Sequence, residues 1–217
     1  MSLHLPRLGD DPASGFPSVD RALRRPDGLL AFGGDLAPAR LLDAYRHGIF
    51  PWYSPGQPIL WWSPDPRTVF STAGVHLSRR FQRSLRQSPW AVTADTAFVE
   101  VIETCAAAPR QGRPGTWIDS GMIAAYTELH ALGHAHSVEV RDGSRLVGAL
   151  YGVAVGRMFF GESMVSTTTG GSKVALAGLA YRLQQWGWPT IDAQMSTPHL
   201  LRMGAQARPR ARFLAEV

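Results

Sequence analysis

The sequence predicts a mixed α/β (α+β) fold in two units. A small N-terminal domain covers residues 1–67, and a larger mixed-sheet domain covers residues 68–217. Three observations predict it. The stretch from Phe50 to Arg67 is crowded with proline and tryptophan. Proline fixes the backbone and removes a donor, so this stretch forms a rigid aromatic platform instead of long regular elements. After Thr68 the apolar residues recur at helical spacing and then in short β-type runs. The β-type runs form a glycine-punctuated series between helical segments, as in an antiparallel meander flanked by helices.

Element by element, residues 1–25 are rich in Pro, Asp and Arg and read as a loose approach segment. Pro38 suits the first turn of a helix that carries Leu41, Leu42 and Tyr45, and Gly48 ends it. Leu77, Phe81 and Leu85 mark the next helix. Trp90–Thr93 reads as a strand. Phe98, Val99, Ile102 and Cys105 mark a helix, and Ile123, Tyr126 and Leu129 another, stopped by Gly133. Ser137–Val140 and Leu146–Val153 are strands joined across Asp142-Gly143, a hairpin signal. Gly156 leads to a strand over Arg157–Met164. Ser172–Trp186 reads as a helix with Leu176, Leu179 and Leu183 inward. Thr190–Gln194 is a short strand, and Phe213 falls in a last one. There is no repeat or low-complexity tract.

The chain has 217 residues, enough for a full core, and a formal net charge of +5. Its pI of about 10.0 permits a nucleic-acid partner without requiring one. Nearly all the positive charge is arginine, and Lys173 is the only lysine, so a Schiff-base mechanism has one residue to draw on. No apolar run has the length of a membrane span, and the first residues lack a signal-peptide layout. A lone cysteine, Cys105, excludes an internal disulfide framework and fits a reducing compartment, so the cytoplasm is the expected location.

Several residues carry candidate chemistry, each with a plainer reading beside it. Glu162 ends an apolar strand, where a carboxylate needs a cationic partner. That partner is either an arginine of the fold or the cationic end of a bound molecule. Asp192 and Gln194 stand two apart on the predicted strand and so share a face. Gln194 orients groups by hydrogen bonds, and Asp192 accepts a proton or polarises Gln194. The plainer reading of the Asp is a turn cap. Trp52, Trp117, Tyr45 and Tyr126 are core aromatics or a stacking platform. Arg79, Arg83 and Arg86 share a helix face, flanked by Arg80, and such a face is solvated unless phosphate covers it. His130, His134 and His136 lack a His-Glu-x-x-His pattern and read as structural, so no metal is expected.

A long ordered run then carries a family resemblance. It begins with Pro26-Asp27-Gly28-Leu29-Leu30-Ala31-Phe32-Gly33-Gly34-Asp35-Leu36. Tyr45-Arg46-His47-Gly48-Ile49-Phe50-Pro51-Trp52 and Trp61-Trp62-Ser63-Pro64-Asp65 follow. Farther on come Gly115-Thr116-Trp117-Ile118, Phe160-Gly161-Glu162-Ser163-Met164, Ser172-Lys173, Ile191-Asp192-Ala193-Gln194, His199-Leu200 and Gly204-Ala205. Over nearly the whole chain after residue 14 the sequence resembles the leucyl/phenylalanyl-tRNA–protein transferases.

The resemblance implies a GNAT-like acyltransferase fold for the second domain. It implies transfer of Leu, Phe or Met from aminoacyl-tRNA to acceptor proteins that begin with Arg or Lys, with no cofactor and no metal. Glu162 would hold the acceptor's cationic amino terminus, and Asp192 with Gln194 would be the catalytic pair. Trp52 and Trp117 would stack on the terminal adenosine, with Tyr45 and Tyr126 also at the substrate. Leu150, Phe159, Met164, Leu176, Leu179 and Ile191 would line the amino-acid pocket. Arg79, Arg80, Arg83 and Arg86 would meet acceptor-stem phosphates. Whether Asp192 is the base, or a tRNA hydroxyl shuttles the proton, stays open. Departures from the family pattern fall at Val165, Thr167, Gly170-Gly171, Ala193 and Arg202, none of them at the three polar site residues. Two alternatives stand against the resemblance: an acyl-CoA-dependent N-acetyltransferase, and a non-catalytic RNA-binding module. Thr167–Ser172 lacks the Arg/Gln-x-x-Gly-x-Gly/Ala pattern of the first.

Overall fold

A computed structural model describes residues 5–9, 11, 15–108 and 116–217. The chain forms two sheets, and sheet membership changes at Arg67. The smaller sheet holds β1 (Arg7–Leu8), β2 (Leu29–Gly33), β3 (Phe50–Pro51) and β4 (Leu60–Trp62) in the order β1-β2-β4-β3. Its later strands stay short because the prolines around them have no N–H for a ladder. Helix α1 (Pro38–Arg46) joins β2 to β3, with Pro38 in its first turn and Leu41, Ala44 and Tyr45 buried.

The approach segment, expected to be loose, is partly ordered. Arg7 and Leu8 pair in parallel with Phe32 and Gly33. Phe16 packs edge-on against Trp61 with ring centroids 4.8 Å apart. Its few apolar side chains find the apolar edge of the small sheet, and that burial fixes the backbone between them. Residues 1–4, 10 and 12–14 lie outside the described residues.

The larger sheet holds β5 (Arg67–Ser71), β6 (Ala91–Ala94), β7 (Ala135–Asp142), β8 (Arg145–Val155), β9 (Met158–Ser166), β10 (Thr190–Asp192) and β11 (Gln206–Arg208). Their order is β11-β5-β10-β9-β8-β7-β6, and only β9 and β10 are parallel neighbours. The run β7 to β9 is the meander that the sequence predicts, and β6, the strand expected at Trp90–Thr93, pairs antiparallel with β7 after a connection through two helices. Strand β5 is an addition. Its short apolar run Val69-Phe70 gives little signal directly after the proline-rich stretch.

Helices α3 (Phe98–Ala107) and α4 (Ser120–Ala131) cover one face of this sheet, and the small sheet shares their core. In α3 the inward stripe is Phe98, Val101, Ile102 and Cys105, and Val99, one of the residues that mark the helix in the sequence, is 45% exposed. A step of about 100° per residue carries Val99 away from the side that Phe98 and Ile102 share. Asp119 caps α4 by accepting the Met122 N–H at 2.8 Å. Beyond α4, the His134 N–H donates to the Leu129 carbonyl at 2.8 Å and closes the turn at Gly133.

Helix α5 (Gly171–Gln185) covers the opposite face, with Leu176, Leu179 and Leu183 buried as predicted. Its first turn rests directly on β8. A Cβ on Gly148 would lie 2.1 Å from the Gly171 carbonyl carbon, so no side chain fits between them. Helix α2 (Arg79–Leu85) is capped by Ser78 and packs Phe81 and Leu85 onto the edge of the α5 core.

Two short helices end the chain, α6 (Pro198–Arg202) and α7 (Arg210–Leu214). Phe213, expected in a strand, is in α7. The last strand, β11, comes just before it, and Pro209 ends the ladder and starts the helix. A Cβ on Gly48 would lie 2.5 Å from Leu214 Cδ2, so only glycine lets α7 seat against the end of α1. Among the described residues no helix is long and apolar enough to cross a membrane.

Candidate active site

Strand β10 stops opposite Phe160, while β9 continues to Ser166 with no strand partner on that side among the described residues. A cavity of about 1060 Å³ opens into the gap. Crevices at the carboxyl ends of parallel strands are the usual ligand sites of open α/β sheets. The parting strands place Glu162 and Asp192 at its margin, with Gln194 just beyond β10.

Asp192 is fully buried and bound at both oxygens by Arg67. Arg67 Nε donates to Oδ1 at 2.8 Å and Nη2 to Oδ2 at 2.7 Å. Arg67 is itself buried, donates from Nη1 to the Gly48 carbonyl at 3.0 Å, and lies between the Phe50 and Phe213 rings, 4.7 Å from each centroid. Asp192 Oδ1 also accepts the Gln194 backbone N–H at 3.0 Å. Gln194 is not on the strand as expected. Its φ is +54°, a left-handed turn stabilised by that bond, so the two side chains do not share a strand face.

Glu162 sits in a different setting. Its Oε2 accepts from the Tyr126 hydroxyl at 3.2 Å, and its Oε1 accepts from the Gln194 amide at 3.3 Å. The Tyr45 hydroxyl closes the chain by bonding to the Tyr126 hydroxyl. The Glu162 residue keeps partial access to the cavity, while its carboxylate is enclosed by protein. That enclosure raises its pKa to about 7, opposed by the two tyrosine hydroxyls and by Arg67 and reinforced by the Asp192 charge. Burial, with Glu162 adding to it, holds both tyrosines well above their ordinary values, so they remain hydrogen-bond donors.

The apolar wall holds Leu150, Met164, Leu176, Leu179 and Ile191, as the sequence suggests. Phe159 is buried in the same core but not on the wall. Phe70, not anticipated, is on it. Tyr45 and Tyr126 do not reach the wall and meet the site through Glu162. Trp52 and Trp117 both line the cavity and are half-buried. Trp52 is braced by Trp62, whose Nε1 donates to its carbonyl at 2.6 Å. Gly115, beside Trp117, lies outside the described residues.

Arg79, Arg80, Arg83 and Arg86 are exposed along α2 and its end. His130 and His136 both face Asp95: His136 Nδ1 meets Oδ2 at 2.8 Å and His130 Nδ1 lies 3.9 Å from Oδ1, while the His130 ring also stacks on Phe98 with centroids 4.3 Å apart. Among the described residues no group of three or more His, Cys, Asp or Glu is placed to hold a metal ion. Sequence reasoning missed Arg67 and His199. The signal for Arg67 is its place at the end of the Trp-Trp-Ser-Pro-Asp-Pro-Arg run. His199 stands on the cavity wall beside Leu200.

Parallel strands that part around a carboxylate pair, with an apolar pocket beside them, put the protein in the class of α/β enzymes. A model of the leucyl/phenylalanyl-tRNA protein transferase family matches residues 69–217. A model of that family's N-terminal domain matches residues 34–65. The chain belongs to the leucyl/phenylalanyl-tRNA–protein transferase family. Relatives of that name include one from Xanthomonas axonopodis pv. citri, 64% identical over 100% of this chain and 88% of its own. Another, from Xylella fastidiosa, is 60% identical over 97% of this chain and 86% of its own. Among solved structures, a GCN5-related N-acetyltransferase from Kribbella flavida aligns with a TM-score of 0.39 and 10% identity, covering 79% of this chain and 61% of that one.

Proposed function

We propose that the protein transfers Leu, and also Phe and Met, from aminoacyl-tRNA to the N-terminal Arg or Lys of acceptor proteins, marking them for N-end-rule degradation in the cytoplasm. The two units divide at Arg67, into residues 1–67 and 68–217. The observation that carries the reading is the contrast at the cavity margin. Asp192 has its cation within the fold, whereas the hydrogen-bond partners of Glu162 are neutral. A buried carboxylate with neutral partners calls for a cation from outside, and the acceptor's amino terminus supplies one.

The aminoacyl ester is already activated, so the work is to hold two substrates in register. Trp52 and Trp117 stack on the terminal adenosine, and the apolar wall takes the Leu or Phe side chain. Glu162 pairs with the acceptor ammonium and takes its proton. Its pKa of about 7 is close to that of an α-amine, so the transfer is nearly balanced. The amine nitrogen then bonds to the ester carbon, the bond to the ribose oxygen breaks, and the proton that the nitrogen sheds on becoming an amide goes to that oxygen. Asp192, fixed by Arg67, holds the Gln194 turn, and the Gln194 amide steers Glu162.

An acyl-CoA reading is disfavoured at α5. The Gly171 N–H donates to the Thr168 carbonyl and the Ser172 N–H to Ser166 Oγ, so these amides are not offered to a pyrophosphate. The deciding assay follows labelled Leu from leucyl-tRNA to a peptide beginning with Arg, without nucleotide and with chelator present. Transfer is expected. A requirement for acetyl-CoA or for metal would sink the reading, and RNA binding without transfer would leave only a binding module.

A further inference from the structure

The cavity has a second polar border, away from the carboxylates. His199 lines it, three residues before Arg202 on α6. Lys173, in the first turn of α5, and Arg202 both act on His199, and together with its partial burial they disfavour its protonation. Lys173 Nζ also lies 5.9 Å from the centroid of the Phe81 ring on α2. Phe81 is pressed onto the start of α5, where a Cβ on Gly170 would lie 2.5 Å from its ring. Helix α2, which carries the exposed arginines, therefore adjoins Lys173 through Phe81, and Lys173 and Arg202 flank His199 at the cavity, a positive track toward it. Among the described residues, no salt bridge holds Arg79, Arg80, Arg83, Arg86, Lys173 or Arg202.

We infer that Lys173 and Arg202, with His199 between them and the cavity, form a binding site for the phosphodiester next to the terminal adenosine of the bound RNA. The inference rests on the proposed tRNA reading and adds a phosphate site to it. Side chains make this site, since the first amides of α5 are bonded within the fold. Two flexible cations without carboxylate partners suit a phosphodiester. The apolar wall beside His199 suits an acyl group and excludes phosphate. A strand lying along the track would place its phosphates over α2 and Lys173 and deliver only its last nucleoside, with its acyl group, to the cavity.

The test compares two non-hydrolysable probes, an aminoacyl-adenosine amide without phosphate and the matching aminoacyl-cytidylyl-adenosine with one phosphodiester. The wild-type protein should bind the dinucleotide about tenfold more tightly at low salt. The extra salt slope should be about 0.7, the single-strand value for one phosphate. In the Lys173→Gln/Arg202→Gln protein the advantage and the extra slope should vanish. In the charge-retaining Lys173→Arg/Arg202→Lys protein both should persist, which guards against a loss of fold. An equal advantage in the Gln protein, no advantage in wild type, or its loss in the charge-retaining protein would each overturn the inference. Leu transfer to an Arg-peptide is assayed separately. Its failure in wild type would sink the proposed function, while the probe comparison would still report whether phosphate is held here.

Discussion

Two carboxylates meet one cavity from adjacent parallel strands, and their surroundings differ in kind. Asp192 is met on both oxygens by a buried guanidinium. Glu162 is met by a phenol and an amide, with a second phenol behind the first. In the first case the fold compensates the buried charge itself. In the second the compensation is left to whatever enters the cavity. Environments that separate two like groups in this way commonly separate their roles. In the proposed function, Asp192 serves as scaffold at the heart of the site, and Glu162 is the group left for chemistry.

The most forceful way to break the comparison is to take the cation from Asp192. Arg67→Ala strands a buried carboxylate and should cost about 3–5 kcal/mol, read from urea unfolding. Asp192→Asn strands the arginine and should lower stability in the same sense. Arg67→Met combined with Asp192→Leu should recover much of the loss. If the double variant shows only the sum of the losses of Arg67→Met alone and Asp192→Leu alone, the pair is not coupled.

The second test acts on Glu162. Glu162→Gln should lower kcat/KM for an Arg-peptide by about 100-fold with the fold kept. Transfer by wild type should rise with pH through a midpoint near 7, as the carboxylate ionises, and the variant should lack that rise. Stability carries its own sign. The folded pKa is about 7 against an ordinary 4.5, so the folded chain holds this proton more tightly than the unfolded chain does. The Glu162 contribution therefore falls as pH rises from about 4.5 to 7 and is level above. The stability of wild type relative to Glu162→Gln should decline over that window. A difference that rises or stays flat would contradict the assignment.

Two smaller effects sharpen the comparison because they should leave the pH midpoint in place. Trp52→Ala and Trp117→Ala should each weaken binding of an aminoacyl-adenosine amide by about 1–3 kcal/mol, measured by calorimetry. A folded Trp52→Ala protein with wild-type affinity would make Trp52 a core residue only. The combined change of Arg79, Arg83 and Arg86 to Ala should flatten the salt slope of tRNA binding by about 0.9 for each duplex phosphate left without its arginine. An unchanged slope would mean that this face of α2 is merely solvated.

What could be read in the sequence follows from the range of the interactions involved. The helical stripe of α5 and the hairpins of the meander depend on local periodicity and turn residues, and they appear where the sequence puts them. Strand β5 and helix α7 depend on partners far away in the chain. Phe213 is helical because α7 packs against Gly48 and Arg67, and nothing near residue 213 reports that. The site shows the same division. Glu162, Asp192 and Gln194 stand out by residue type and motif. The bond of Asp192 to Arg67 crosses 125 positions. The turn at Gln194 answers to the Asp192 carboxylate, so a strand reading of Thr190–Gln194 could not show it.

The position of Arg67 has a consequence for the order in which the protein can be made. During synthesis Arg67 leaves the ribosome 125 residues ahead of its carboxylate. One of the two rings that enclose it, that of Phe213, follows later still. Until then Arg67 lacks both its carboxylate and one of its enclosing rings. The cavity margin is therefore complete only once residues on both sides of this long separation have been made. The last of those pieces, α7, seats against Gly48, so the two ends of the described chain close the site together.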